Sequence, residues 1–342
     1  MKQSNRQLLE RSLAGERVDR PAYVVFDWFV QNRPVDWEML FGLGLGQLRH
    51  ANLVHYKRPH VEIVEQISST HGVQYRVVTW KTDIGELREV FNEEWRVEHL
   101  IKSSEDYKIL SRALSDTQIT ADTSSFDECE RQVGSNGITI GQLQRTPFQQ
   151  VQVDFAGLER FSFDIAAEDP NLMALLEMMA DLVIEECRVS AASKAKHIKL
   201  WENLTIQTMG PNLYRRHLVP IYQKIIEIFN QAGKRLHVHY DGKLKVAADQ
   251  IADLNFSIDS LTPPPEGDME ISEAREMWPE KFFWMHPCLG WFLLSEDELL
   301  KNVRNIIAQT GSRNYCLAMS EDIPANWRVY VPSILKMLNE ME

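Results

Sequence analysis

Cysteine is scarce in this chain: four among 342 residues, at Cys129, Cys187, Cys288 and Cys316. No two of them stand in a Cys-x-x-Cys spacing, which excludes a zinc ribbon and a thioredoxin-like redox motif. Scattered thiols in a chain of this size point to buried, free cysteines in a reducing compartment. Long apolar runs are also missing. No stretch approaches the roughly 20 residues that span a bilayer, and the polar segment 1–20 has no apolar run of signal-peptide length. Positive charge is in short supply, with 37 Lys and Arg against 49 Asp and Glu and a net charge of −12. That balance argues against a broad nucleic-acid-binding surface, while leaving room for a local basic pocket that takes an anionic substrate. Repeats, low-complexity tracts and long linkers are absent as well. The sequons at Asn203 and Asn255 are tripeptides that arise often by chance. These absences together describe a cytoplasmic protein with no membrane or nucleic-acid partner.

What is present is a globular composition, 44% hydrophobic and 25% charged. Short apolar runs alternate with longer amphipathic ones. Tyr23-Val24-Val25-Phe26 reads as a strand that ends at Asp27. Residues 73–95 alternate in strand fashion, and Gly85 between the two runs marks a hairpin. Ser103-Ser104-Glu105-Asp106 opens a helix with polar caps and acids, and Gly137–Ile140 is a short strand. The longest helical pattern follows Asp169-Pro170, with Leu172, Leu175, Leu176, Met179, Leu182, Val183 and Cys187 at helical spacing. From His197 on, strand and helix alternate regularly. The strands are predicted at 197–200, 236–238, 256–259, 282–285 and 315–319, and the helices at 211–232, 246–252, 271–277, 296–308 and up to about 338. Strand then helix, repeated, means parallel strands joined by crossovers. A single (β/α)8 TIM barrel with an N-terminal segment and a β-hairpin insertion uses the whole length as one domain, its core at about 15–340. An open doubly wound sheet is the competing architecture. The glycines at 42, 44 and 46 lack the dinucleotide-binding spacing and read as loop or helix-end positions.

In parallel α/β folds the chemistry sits at the C-terminal ends of the strands. Polar residues fall there repeatedly: Asp27 and Trp28; Trp201 and Glu202; His237, His239 and Asp241; Asp259; His286; and the segment Ser320-Glu321-Asp322. His237-Val238-His239 puts both imidazoles on one strand face. With Asp241 they can bind a divalent metal or form a hydrogen-bonded core pair with a helix-capping carboxylate. His286 suits general acid–base work or loop packing. Glu202 and Asp27 suit substrate orientation, acid–base steps or capping. Trp28, Trp201, Trp284 and Trp291 wall an apolar pocket or fill the core.

Several segments, in order, resemble one family. They are Arg20-Pro21 before the first strand, Thr82-Asp83-Ile84-Gly85-Glu86-Leu87, and the stretch Glu98-His99-Leu100-Ile101-Lys102-Ser103-Ser104-Glu105-Asp106-Tyr107. Further along come Gly210-Pro211-x-x-Tyr214 with Pro220-x-Tyr222-x-x-Ile225, and then His239-Tyr240-Asp241-Gly242. Together they resemble the uroporphyrinogen decarboxylase superfamily, which includes the cobalamin- and coenzyme M-dependent methyltransferases. Asp259-Ser260-Leu261-Thr262-Pro263-Pro264-Pro265 with Gly267-Asp268 resembles an uncharacterised subgroup. The resemblance implies one barrel with its site at the strand C-termini, and a homodimer. On the methyltransferase side it implies a metal-assisted enzyme acting on a small molecule or a corrinoid-bound methyl group. His239, Asp241 and Glu321 would then hold zinc, manganese or iron, and a corrinoid protein would be the partner. Asp27, Glu202, His237, Asp259 and His286 would be the catalytic set. Trp28, Arg33, Trp201, Tyr214 and Trp284 would contact substrate. The alternative branch is a cofactor-free decarboxylase of uroporphyrinogen or a related anion, with Asp27 stabilising a protonated pyrrole. Its paired arginines after the first strand are reduced here to Arg33 in the segment 27–33, and a basic pocket at Arg33, Arg145 or Arg313 would favour it. A noncatalytic barrel that binds a corrinoid or other ligand is the third reading.

Overall fold

The computed structural model describes residues 3–27, 36–70, 72–319 and 326–341. Fourteen strands follow in chain order: β1 (Tyr23–Phe26), β2 (Leu45–Asn52), β3 (Val54–Lys57), β4 (Glu62–Thr70), β5 (Val73–Thr82), β6 (Gly85–Asn92), β7 (Trp95–Glu98), β8 (Gln118–Ala121), β9 (Gly137–Leu143), β10 (His197–Leu200), β11 (Arg235–His239), β12 (Ser257–Leu261), β13 (Phe283–Met285) and β14 (Tyr315–Ala318). Eight of them close a barrel in the order β1, β14, β13, β12, β11, β10, β9, β2, and every barrel pairing is parallel. The chain divides into two compact units. The first comprises residues 1–53, 123–143 and 193–342 and contains the whole barrel. The second comprises 54–122 and 144–192.

The barrel strands are short and almost wholly buried, as strands covered on both faces must be. From β10 onward the predicted strand–helix alternation is observed, with each helix stopped or started by an identifiable residue. Ser295 caps the helix Glu296–Thr310 in a reciprocal box with Glu298, and Gly311 in a left-handed conformation ends it. The predicted helix 211–232 is broken by a π turn at Tyr214–Leu218 before it continues as Val219–Gln231.

β2 corrects the sequence reading. The segment at Gly42, Gly44 and Gly46 was expected to be loop or helix end. Gly42 does end the helix Trp37–Gly42, and Gly44 has φ +104°, but Gly46 lies inside a barrel strand. A Cβ on Gly46 would sit 3.0 Å from Val24 Cγ1, so the glycine there reflects close strand approach. The tightest such position is Gly137 on the neighbouring β9, opposite Gln47. Its φ is ordinary extended backbone, yet a Cβ would lie 1.7 Å from the Gln47 carbonyl oxygen. We therefore expect Gly137→Ala to cost about 3 kcal/mol or more through forced separation of β2 and β9. Urea denaturation measures this directly, and an unchanged midpoint would contradict the β2–β9 register.

The second unit is larger than the expected hairpin. The β5–β6 hairpin turns at Asp83-Ile84, and β4 and β7 flank it to make a four-stranded antiparallel sheet. β3 and β8 form a separate antiparallel pair. Four helices complete the unit's main framework, among them Ser104–Ser115 and the 22-residue Pro170–Ala191. In the latter, Asp169 accepts hydrogen bonds from the Asn171 and Leu172 amides, and Pro170 occupies the first turn. All four cysteines are free, with Cys187, Cys288 and Cys316 buried and Cys129 half-buried. Among the described residues, no helix is long and apolar enough to cross a membrane.

Candidate active site

The strand C-termini of the barrel carry a continuous set of polar side chains because alternation sends every second residue inward. On β10 the inward positions are His197 and Lys199, followed by Trp201. On β11 they are His237 and His239, on β12 Ser257 and Asp259, and on β13 Trp284, followed by His286.

Lys199 lies at the centre. It is 1% exposed, and its ammonium pairs with the Asp259 carboxylate. Nζ also lies 3.6 Å from the Trp201 ring centroid and 4.5 Å from that of Phe26, so two aromatic faces sandwich the charge. Burial alone would push Asp259 upward, but the Lys199 charge, followed by the hydrogen bond from His239, overrides it and holds the carboxyl well below its usual range.

His239 stands between two carboxylates. Nδ1 is 3.0 Å from Asp259 Oδ2, and Nε2 is 3.7 Å from Asp241 Oδ2. Burial opposes protonation of this imidazole, yet Asp241 and Asp259 outweigh it and raise its pKa above the ordinary value. Asp241 is 44% exposed along its side chain, so the Nε2 edge faces the more exposed of the two carboxylates. Ser260 contributes a third contact. Its backbone has φ +67° at the register shift between β12 and β13. This conformation, costly for a non-glycine residue, sets Oγ 3.0 Å from His239 Nδ1 and 3.3 Å from His286 Nε2. Burial pulls the His286 pKa down to about 3, so this ring is neutral at pH 7.

A second carboxylate–imidazole pair borders the first. His50, at the end of β2, has Nδ1 3.1 Å from Asp27 Oδ1, and its amide donates to Asp27 Oδ2 at 3.1 Å. Burial depresses the His50 pKa despite Asp27. For Asp27, burial pushes up, and hydrogen bonding and charge from His50 together bring its pKa below normal. The Trp201 ring lies 5.2 Å from His50 and 5.1 Å from His239 and donates through Nε1 to Gln142 Oε1 at 3.0 Å. Trp201 thus bridges the two pairs.

Among the expected residues, Asp27, Trp201, His239, Asp241, Asp259 and His286 converge in this cluster. His237, Trp284, Tyr214 and Glu202 have other placements. Trp284 Nε1 donates to His237 Nδ1 at 2.9 Å, which leaves the His237 proton on Nε2, donated to His197 Nδ1 at 3.1 Å. Both nitrogens of His237 are occupied, and burial holds its pKa well below normal. His237 and Trp284 are therefore core residues below the cluster. Tyr214 is buried with its hydroxyl 3.0 Å from that of Tyr240. Glu202 is fully buried; burial raises the pKa values of Tyr214 and Tyr222, and the Glu202 charge adds to it. Trp28, Arg33 and Glu321 lie outside the described residues. The other two arginines weighed for a decarboxylase are engaged elsewhere. Arg145 pairs with Asp154 in the second unit, and the exposed Arg313 lies 3.8 Å from Glu280. Lys199, His50 and Ser260 were not anticipated. The available signal for Lys199 was a lone cation inside the apolar run His197-Ile198-Lys199-Leu200, on a strand buried on both faces.

The metal expectation was tested against the donors. His239 Nδ1 bonded to a carboxylate, with Nε2 directed outward, is the orientation of a metal-ligating histidine. Only Asp241 accompanies it, however, one donor short of the three protein ligands of a catalytic zinc. Among the described residues, no group of three His, Cys, Asp or Glu is placed to hold an ion. These residues alone do not make a metal site.

Comparison with known proteins agrees on architecture. A solved structure described as a methyltransferase from Methanosarcina mazei superposes with a TM-score of 0.59 at 12% identity, covering 99% of both chains. A B12-independent methionine synthase from Shewanella sp. W3-18-1, in complex with selenomethionine, matches with a TM-score of 0.45 at 10% identity, over 84% of this chain and 77% of that one. A xylose isomerase domain protein from Planctomyces limnophilus follows at 0.41 and 11%, over 94% and 96%. No protein-family model matches the chain, and no curated protein matches it. At 12% identity the first likeness establishes the fold, and the chain is a (β/α)8-barrel protein with a buried cationic and acid–base cluster at the strand C-termini.

Proposed function

We propose that this chain is a barrel enzyme of the methyltransferase type, acting on a small molecule, with His239 as its central acid–base group. The observation that carries the reading is the Lys199–Asp259–His239–Asp241 chain of contacts. A methyl acceptor must lose a proton to become a nucleophile. An imidazole with a raised pKa, held by a buried carboxylate at Nδ1 and facing the more exposed Asp241 at Nε2, is suited to take that proton. Asp259 fixes the ring orientation and stabilises the imidazolium, as the aspartate of a catalytic triad does. Lys199 in turn keeps Asp259 ionised. Neutral His286 and Ser260 Oγ hold the opposite edge, and Asp27–His50 borders the space beside Trp201. The full-length likeness to a structure described as a methyltransferase supports the transferase class, as does the sequence resemblance to the methyltransferase branch of the uroporphyrinogen decarboxylase superfamily. A methyl-bearing corrinoid protein is the donor that this reading calls for, and a small thiol the acceptor to try first.

The test is methyl transfer from methylcobalamin or a methylated corrinoid protein to small thiols, with His239→Gln beside the wild type. Transfer reduced by about 10²–10⁴-fold in the variant is the expected result, whereas equal rates would remove His239 from the chemistry. Elemental mass spectrometry on the same samples decides the metal question. Near-stoichiometric zinc, manganese or iron that is lost in His239→Ala would mean that Glu321 completes a ligand set, and the acid–base reading would give way to a metal-assisted one. Activity that survives chelation supports the acid–base reading.

A further inference from the structure

We propose that the second unit holds a binding site for a small organic anion with an apolar body, anchored by Arg58 and Arg145. A cavity of about 470 Å³ lies wholly within that unit, inside the range that accommodates small-molecule ligands. One wall is apolar, with Met179, Leu182 and Val183 from the helix Pro170–Ala191 facing the cavity together with Trp80 of β5. The polar wall is unusually rich in guanidinium groups for so small a space, and these groups are unequally satisfied.

Arg96 is closed off. Its Nε donates to Glu89 at 2.9 Å and its Nη1 to the Val153 carbonyl at 3.3 Å. Arg145 differs. Its Nη1 reaches both Asp154 oxygens at 3.2–3.3 Å, but its Nε is buried with no acceptor. A buried donor left without an acceptor is costly, so a structure that leaves one at a cavity invites an acceptor there. Arg58 uses Nε to donate to Thr117 Oγ1 at 2.9 Å, and its guanidinium carbon lies 5.3 Å from the Trp80 ring centroid. Among the described residues, no acceptor reaches its terminal nitrogens. Burial depresses the Arg58 pKa, opposed in part by Tyr56 and Asp116, while its half-buried guanidinium keeps its terminal nitrogens free to take an acceptor. Arg96 spends its Nε on the Glu89 carboxylate, whereas the Nε of Arg145 and the terminal nitrogens of Arg58 have no acceptor among the described residues. The acids on the cavity leave a positive margin, because burial pushes Glu186 up to about 7, so it is only partly ionised near neutrality.

The ligand chemistry follows. A carboxylate or phosphate accepts from guanidinium in a planar, charge-assisted geometry. The carbon body lies against Trp80 and the helix face. The probes are benzoate, phenyl phosphate and neutral benzyl alcohol, titrated calorimetrically into the full chain. Saturable binding of either anion, weakened at least tenfold in both Arg58→Gln and Arg145→Gln, is the expected result, and the stronger of the two anions identifies the head group. Trp80 emission gives a readout independent of the arginine variants, since the anion should quench the wild type and leave Trp80→Phe unchanged. The proposal is overturned if neither anion saturates, if benzyl alcohol binds as well as benzoate, or if both arginine variants fold and bind as the wild type does. Where those variants fail to fold, quenching that persists in Trp80→Phe overturns it equally.

Discussion

Lys199→Met is expected to lower the unfolding free energy by about 3–5 kcal/mol, the cost of leaving one member of a buried ion pair without its partner. Methionine matches the length of the lysine stem, so little of the loss should come from an unfilled volume. What remains in the variant is the Asp259 carboxylate, 2% exposed and stripped of the charge that keeps it ionised. The cation over Phe26 and Trp201 goes as well. Adding Asp259→Asn to Lys199→Met removes the orphaned charge and should recover more than half of the loss. Strong non-additivity of this kind is expected for contacting residues. The pH dependence has a definite sign. A carboxyl whose folded pKa is depressed contributes stability above its ordinary value of 3.8, and that contribution disappears as the pH falls through the folded value. In Lys199→Met burial pushes the Asp259 carboxyl up against His239 alone, so the deficit should narrow as the pH falls through the variant's raised value, and narrow further below 3.8 as the wild type loses its own contribution. Urea denaturation at several pH values measures all of this. A deficit under about 1 kcal/mol, or one that the second substitution deepens, would show that the pair is not the keystone of the barrel mouth.

How much of this site could be read from the sequence depends on the residue. The strands from His197 to Met319 are short apolar runs bounded by turn residues, and the helices between them carry clear stops such as Gly233 and Gly311. Buried parallel strands leave that signature, so, with Tyr23–Phe26 and Gly137–Ile140, seven of the eight barrel strands stood out. β2 did not, because Gly44 and Gly46 dilute its apolar pattern; a glycine demanded by close strand approach looks like a glycine demanded by a turn. His50, the partner of Asp27, was lost with it. Asp27, His239, Asp259 and His286 were legible because each polar side chain directly follows, or ends, an apolar strand. Lys199 was not. A lysine in a strand ordinarily faces water, and only barrel closure, which brings Asp259 opposite it, makes burial tolerable. Ser260 depends on a positive φ that no local pattern announces. His237 shows the converse failure. Alternation correctly put it on the same face as His239, but one layer deeper, where Trp284 and His197 take both its nitrogens.

Asp259→Asn tests the catalytic reading at the imidazole itself. In the wild type, burial disfavours the His239 cation while Asp241 and Asp259 favour it more strongly, leaving the pKa above 6.5. Removal of the Asp259 charge deletes the hydrogen bond at Nδ1 and leaves the Lys199 cation unopposed beside the ring. Asp241 still favours the cation, but burial and Lys199 now oppose it without the Asp259 contribution. The His239 pKa should then fall, a change visible in the NMR titration of histidine-labelled protein. Stability must follow with the matching sign. A histidine whose folded pKa is raised contributes stability that is full below its unfolded value and is lost as the pH rises through the folded one. A histidine whose folded pKa is lowered does the reverse and destabilises as the pH falls. The His239 contribution should therefore decline in the wild type as the pH rises through the folded value, and decline less in Asp259→Asn. Methyl-transfer turnover should drop by about 10²–10⁴-fold, with the acid limb of its pH profile displaced to lower pH as the imidazole becomes harder to protonate. A structural role for Asp259 would lower stability at every pH but leave the position of that limb unmoved. The displacement of the limb is thus what distinguishes a carboxylate that tunes a catalytic base from one that only braces the barrel.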